Sequence, residues 1–255
     1  MVSLNVGKLM QQTIDSALRQ TFTDYEIIVK DGLSKDNTLD FVPASEQIRV
    51  FAEQDSSIYD AMNQGVRYSK GKYLIFMNCG DVFASDRVLE QVRDAIGESR
   101  PAMIYGDYTR DGIVHHQPTA MTPFYLYRTP LCHQTIFFDG ELMRSGHLYD
   151  TQYRILADHN LELQLMNEQR SIAHCDVCVC DYEGGGVSES EKGIVLKNRE
   201  RKQILERQFS KKDRLRFELR LRATLPGLRK KLTASDKTPR WVKKLYQKLV
   251  NSVNN

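Results

Sequence analysis

The chain has 255 residues, 41% of them hydrophobic, and a formal net charge of +3. That length suits one large α/β domain, alone or with an appendage, and no apolar run is long enough to span a bilayer. The charge is unevenly divided: residues 191–255 hold 20 Lys/Arg against 6 Asp/Glu, so a basic tail of +14 follows an acidic body of −11.

No basic stretch followed by an apolar one opens the sequence, so no signal peptide is expected. The five cysteines (Cys79, Cys132, Cys175, Cys178, Cys180) are too sparse for a disulfide scaffold and suit reduced, cytosolic thiols. Cys175-x-x-Cys178 lies in a run that alternates like a strand. No second pair completes a zinc site, so these read as strand thiols.

In chain order, Met10, Ile14, Ala17 and Leu18 share one helical face over residues 8–20. "YEIIVKDG" is a β-branched strand ending at Asp31, and the turn "LSKDNT" offers Ser34, Asp36 or Thr38 as a helix cap. "QIRVFAEQD" is a second strand, with Asp55 just beyond it. Ile58, Met62 and Val66 then mark a helix stopped by Gly71. Tyr73 to Met77 is a wholly apolar run, predicted as a strand buried on both faces that delivers Asn78 and Asp81 at its end. A helix over 86–97 and the strand "AMIYGD", ending at Asp107, continue the alternation.

Alternating strands and helices predict βαβ units and a parallel sheet, whose ligands sit beyond the carboxyl ends of the strands. Asn5, Asp31, Asp55, Asn78 with Asp81, and Asp107 all fall at such ends. Neither a Gly-rich phosphate loop nor a G-x-S-x-G elbow is present, which argues against dinucleotide enzymes, P-loop NTPases and α/β-hydrolases. An acidic edge suits a hard divalent cation bridging phosphate oxygens.

Over roughly residues 2–190 the chain resembles the family 2 inverting glycosyltransferases of GT-A fold, and more narrowly the colanic-acid-type enzymes of exopolysaccharide biosynthesis. The resemblance rests on six ordered blocks. They are "TIDSALRQTFTDYEIIVKDGLSKDNT", "EQDSSIYDAMNQGVRYSKGKYLIFMNCGD", "IYGD", "CHQTIFF", "ILADHNLELQL" and "GGGVS".

It implies a Rossmann-like, mostly parallel sheet flanked by helices over residues 1–190; the charge division and the helical period of the tail add a basic helical extension over 191–255. It implies a nucleoside-diphosphate sugar as donor, with Asn5, Asp31, Asp55, Asn78 and Asp81 on the nucleotide and donor side. Asp81 would be the metal ligand, for Mg2+ or Mn2+, although Asn78 and Gly80 replace carboxylates of the family's common D-x-D-D form. Asp107, His133 and Gln134 would lie toward the acceptor. Asp158 would be the base that takes the acceptor's proton, since Ala157 and Asn160 replace neighbouring acids of the family's block. Asp60 and Asn63, on the helix after Asp55, are open between a site role and a solvated face. By residue type alone, Asp31 reads as a turn cap, Asp55 and Asp158 as helix N-caps, and His133 as a satisfied structural histidine. "MVSLN" is expected as a short inner strand beside Asp31, with a natural start upstream of Met1.

In the tail, Trp241, Leu245, Leu249 and Val253 form an apolar stripe with lysines beside it, the pattern of an in-plane helix on anionic lipid. No recognisable nucleic-acid module accompanies the charge. The expected activity is sugar transfer to a lipid-linked saccharide at the inner face of the cell membrane. The alternative is a non-catalytic nucleotide-sugar or polysaccharide-binding relative.

Overall fold

The computed structural model describes residues 1–184 and 190–223. Its elements in chain order are β1 (Val2–Ser3), α1 (Leu9–Leu18), β2 (Ile27–Asp31), β3 (Ile48–Ala52), α2 (Ile58–Tyr68), β4 (Tyr73–Ile75), β5 (Val82–Phe83) and α3 (Val88–Ile96). There follow β6 (Met103–Arg110), β7 (Ile113–His115), α4 (Pro123–Arg128), β8 (Ile136–Asp139), α5 (Gly140–Arg144), α6 (Ala157–Asn167), β9 (Ile172–Asp181), α7 (Glu191–Gln208) and α8 (Lys211–Ala223).

Two sheets carry the molecule. The first, in the order β1-β2-β3, is wholly parallel, with Ser3 opposite Asp31 and Asp31 opposite Ala52. The second, β4-β8-β6-β9-β5 with β7 added to β6, is mixed, and β6–β9 is its parallel pair. Side chains alternate across this second sheet, as strand geometry requires. Met103, Tyr105, Ile136 and Phe138 enter one core, beneath α2, α4, α6 and α7. Ile104, Phe137, Cys175 and Val179 enter the other, with Met10 and Ile14 of α1 and Val88 and Val92 of α3.

Most helical expectations hold because their apolar spacing is what buries them. Ser57 caps α2 by accepting the Asp60 N–H at 3.2 Å, and the Asp60 carboxylate accepts from the Ser56 N–H and hydroxyl. This reciprocal capping accounts for Asp60 without a substrate. Asn63 is likewise committed, clamping the backbone of Tyr149 through both ends of its amide.

Four expectations need correction. The Asp36–Thr38 turn opens only a short 3-10 helix (Thr38–Phe41), because Asp36 and Thr38 spend their side chains on the backbone at Val6 and Gly7. The Tyr73–Met77 run is a strand only to Ile75 and is half-buried there, since it pairs with β8 alone, while Phe76 and Met77 lie buried beyond its end. The "AMIYGD" strand does not stop at Asp107 but runs to Arg110, with register shifts around Asp107. Finally, β1 does lie beside Asp31, yet it is an edge of its sheet rather than an inner strand. A cavity of about 740 Å³, lined by Met1, Val2, Ile27, Ile28, Leu74 and Phe76 among others, separates it from β4.

The basic segment is not wholly peripheral. Ile204, Leu205, Phe209 and Phe217 of α7, α8 and their junction join the first core, and Phe217 packs on Phe124 and Tyr127. Glu200 of α7, itself buried, accepts the N–H groups of Arg154, Ile155 and Leu156, which tethers the segment leading into α6. The Trp241 stripe lies outside the described residues. All five cysteines are free thiols, with Cys175 and Cys180 buried on β9.

Candidate active site

The strand-end residues fall into three groups. In the first, Asp31 is fully buried, and its carboxylate accepts from the Ser3 hydroxyl (2.9 Å), the Ser34 hydroxyl (2.6 Å) and the Ser34 N–H (2.7 Å). Asn5, at φ 53, accepts from the Lys35 N–H and donates its own N–H to Ser34 Oγ, closing the same loop from the other side. Asp55 is ion-paired at 3.1 Å with Lys30, whose ammonium is buried and also donates to the carbonyls of Asp31 and Glu53. Sequence reasoning missed Lys30. Its one signal is a lysine inside an otherwise apolar strand, next to the strand-end aspartate.

The second group is centred on Asp107. It accepts from His116 Nδ1 (2.6 Å), the Gln117 N–H (2.9 Å) and His174 Nε2 (3.2 Å). Burial pushes its carboxyl up, but those hydrogen bonds outweigh burial and leave it below the usual range.

The third group joins four distant segments. Asp81 follows β4 and is 4% exposed; its Oδ2 accepts from Gln134 Nε2 at 2.7 Å and its Oδ1 from the Glu183 N–H at 3.1 Å. Burial raises the Asp81 carboxyl, opposed by those two donors and by His133. His133, the residue before Gln134, places Nε2 3.3 Å from Asn78 Nδ2 and Nδ1 3.8 Å from Asp158 Oδ2. Burial keeps its imidazole below its ordinary pKa against the pull of Asp158 and Asp81, which favours the neutral ring. Asp158 opens α6, where the helix N-terminus favours a negative charge. Its Oδ1 accepts from the Tyr59 hydroxyl (3.0 Å) and the His159 N–H (2.8 Å).

Cys79 ties the first group to the third. Burial first, with Asp81 and Asp31 adding to it against the N-terminal ammonium, raises its thiol to about 11. Glu162, one turn beyond Asp158, is fully buried and held well above the carboxylate range by burial and by Asp158. Asp158 is therefore the carboxylate of α6 that keeps contact with the surface.

Tyr59 and Glu183 also escaped sequence reading. Tyr59 lies in the "IYDAMN" block but looks like a core aromatic. Glu183 is 102 residues from Asp81 yet reaches it, and a Cβ at Gly80, which holds φ +107, would overlap Glu183 Oε2. The "GGGVS" loop lies outside the described residues after Gly184.

Among the described residues no three His, Cys, Asp or Glu side chains gather as a metal cage. Asp81, the Glu183 carboxylate and the buried, partnerless Asn78 Oδ1 are hard oxygen donors. Such a set fits a cation held by one or two carboxylates together with substrate phosphates.

Comparison with known proteins bears on the family and the fold. The glycosyl transferase family 2 profile matches residues 1–145. A PGL/p-HBAD biosynthesis glycosyltransferase of Mycobacterium bovis BCG is 32% identical over 197 residues, covering 74% of this chain and 77% of that protein. An uncharacterized glycosyltransferase of Mycobacterium tuberculosis is 28% identical over 219 residues, covering 82% and 83%. Staphylococcus aureus TarS 1–349 superposes with a TM-score of 0.60 at 13% identity, over 71% of this chain and 58% of that one. A mannosyltransferase from Pyrobaculum calidifontis, solved with GDP-Man and Mn2+, gives 0.57 at 13% identity, over 71% and 55%. At such identities the two structures speak to the fold alone, which is that of GT-A glycosyltransferases. The profile spans more than half of the sequence and the mycobacterial relative about three quarters, so this chain belongs to glycosyl transferase family 2 and is a glycosyltransferase.

Proposed function

We propose that the enzyme transfers a sugar, with inversion, from a nucleoside-diphosphate sugar to a lipid-linked saccharide in cell-surface polysaccharide or glycolipid assembly. The observation that carries this reading is the His133–Gln134 pair. Gln134 holds Asp81, and His133 faces Asp158, so one short segment sets the leaving-group side against the acceptor side.

Asp158 is the base in this reading. Its Oδ1 is occupied by two donors, and Oδ2 is left to take the acceptor hydroxyl's proton as that oxygen attacks the anomeric carbon. His133, neutral, lines the path between Oδ2 and Asn78. The nucleotide lies against the Asn5–Ser34 loop, which Asp31 holds in shape from beneath, and Lys30 with Asp55 supports the donor-side floor.

Asp81, Glu183 and Asn78 Oδ1 would hold a divalent cation with the diphosphate. Such an ion supplies positive charge to the departing phosphate oxygens. The protein's own task there is to keep Asp81 ionised in a buried site, through Gln134 and the Glu183 N–H.

Named neighbours support the donor class: TarS has been solved with UDP-GlcNAc and the archaeal enzyme with GDP-Man. The acceptor reading draws on the mycobacterial relative's role in PGL/p-HBAD biosynthesis and on the colanic-acid-type resemblance. No helix among the described residues is long and apolar enough to cross a membrane. Helix α8 does expose Leu215 and Leu219 one turn apart, amid Lys211, Lys212, Arg216 and Arg222, which supports peripheral docking on anionic lipid.

A thermal-shift screen of UDP, GDP and their sugars, with and without Mn2+, tests the donor reading, because a ligand bound by the folded state raises its melting temperature. A shift for one nucleotide family, followed by transfer to a lipid-linked acceptor, is expected. No shift with any of them overturns it.

A further inference from the structure

We infer that Tyr59 is a positioning residue for the reaction: its hydroxyl, held against Oδ1 of Asp158, selects Oδ2 as the proton-accepting atom. The inference rests on the reading of Asp158 as the base.

Tyr59 lies on α2, 99 residues from Asp158, and is 7% exposed. Its hydroxyl oxygen stands 3.0 Å from Asp158 Oδ1 and 2.8 Å from the Ile155 carbonyl oxygen. A phenol has one proton and here faces two acceptors, so its hydrogen is shared or moves between them. Burial, with Asp158 and Tyr149 adding to it, holds this phenol well above its ordinary pKa, so it remains a donor at any working pH.

The His159 N–H supplies the second donor to Oδ1 at 2.8 Å, which leaves that oxygen with its lone pairs taken up. Among the described residues Oδ2 accepts no hydrogen bond, and His133 Nδ1 stands 3.8 Å from it. The two oxygens of one carboxylate are thereby made unequal. A proton arriving from an acceptor hydroxyl goes to Oδ2, while Oδ1 stays locked against α2 and the helix backbone.

The shared hydrogen also serves both states of the base. When Asp158 is ionised, Tyr59 donates to Oδ1. When Asp158 has taken a proton and the charge is gone, the phenolic hydrogen can turn to the Ile155 carbonyl without leaving either buried group unpaired. No bond other than the O–H transfer to Asp158 is made or broken in this step.

The other titratable groups facing Asp158 are His133 from the segment before β8, Tyr149 from the loop before α6, and His159 and Glu162 on α6 itself. His159 turns its ring away to the Leu126 carbonyl, and burial lowers it to about 4. Burial raises Tyr149 and Glu162, which favours the protonated form of each. None of the three competes with Tyr59 for Oδ1.

The test is the pH profile of kcat/KM for transfer in the full chain. A donor hydrogen bond favours the ionised carboxylate. Tyr59→Phe should therefore move the acid limb upward by roughly half to one pH unit, with donor KM unchanged. Replacing Tyr59 with 3-fluorotyrosine, whose hydroxyl is a stronger donor, should move the limb the opposite way. This second arm decides the matter if the Phe variant does not fold. Limbs that stay in place, or move in the same direction in both proteins, overturn the role of Tyr59 while leaving Asp158 intact. Retention of wild-type turnover by Asp158→Asn overturns the base reading itself, and the positioning role with it.

Discussion

Gln134 Nε2 donates to Asp81 Oδ2 at 2.7 Å across 53 residues of sequence. Asp81 is buried and its carboxyl is already pushed upward, so the amide is what makes an ionised group tolerable there. Gln134→Ala should leave that carboxylate short of a donor and cost about 1–3 kcal/mol of stability. Chemical denaturation measures this directly. A Gln134→Ala protein as stable as wild type at pH 7 would show that Asp81 does not depend on the amide.

Asp158→Asn should lower transfer by about a hundredfold or more, the usual worth of a general base, while nucleotide binding stays close to wild type. The amide keeps the hydrogen bonds at Oδ1 but cannot take a proton at the other position. Paired transfer assays and nucleotide titrations separate the two effects. A variant that loses nucleotide affinity in proportion to turnover would instead assign Asp158 to the donor.

Glu162 makes stability depend on pH. Burial, with Asp158 adding to it, holds its folded pKa well above the ordinary glutamate range, so between the two values the folded state holds a proton that the unfolded state releases. The contribution is fully present below the unfolded pKa and is lost as pH rises toward the folded one. Glu162→Gln removes the titration. Its melting temperature should fall less than that of wild type between pH 5 and 8, and parallel curves would rule the contribution out.

The cavity between β1 and β4 gives a design prediction. The Met1 ammonium is buried there, donates to the Ile28 carbonyl at 2.8 Å, and is held below its usual pKa by that burial. Placing a few strand-forming apolar residues ahead of Met1 turns the ammonium into a peptide N–H and buries side chains against Ile27, Leu74 and Phe76. The melting temperature should rise by several degrees, and a Gly/Ser extension of equal length should not match it. Equal effects from the two would mean that the seam does not accept a strand.

Membrane docking through α8 is tested with the full chain and vesicles containing phosphatidylglycerol. Leu215→Glu with Leu219→Glu should weaken sedimentation with the vesicles while leaving sugar-nucleotide hydrolysis intact. Each nearby Lys or Arg adds roughly 1 kcal/mol of attraction at an anionic surface, and high salt should screen it. Removing residues 237–255 separately reports on the Trp241 stripe. Unchanged sedimentation in both proteins would end the peripheral reading.

The sequence by itself determined the main helices of the first hundred residues and the family. The spacing of Met10, Ile14 and Ala17, of Ile58, Met62 and Val66, and of Val88 and Val92 marked out α1, α2 and α3, because a period near 3.6 gathers apolar side chains on one face for the core to bury. The run "IIV" before Asp31 and the ordered blocks were equally legible. Only the tertiary structure decided which acidic residues are free. Asp31, Asp55, Asp107 and Asp158 look alike on paper, each near a chain turn or helix start. In space Asp31 is taken up by Ser3 with Ser34 and Asp107 by His116 with Gln117 and His174, Asp55 gives one oxygen to Lys30, and Asp158 accepts its hydrogen bonds, among the described residues, at Oδ1 alone. Local periodicity reports on burial within a turn or two of the chain. A hydrogen bond such as Ser3–Asp31, Gln134–Asp81 or Tyr59–Asp158 depends on a separation of 28, 53 or 99 residues being closed to about 3 Å, and only the packing of the two sheets and their helices closes it.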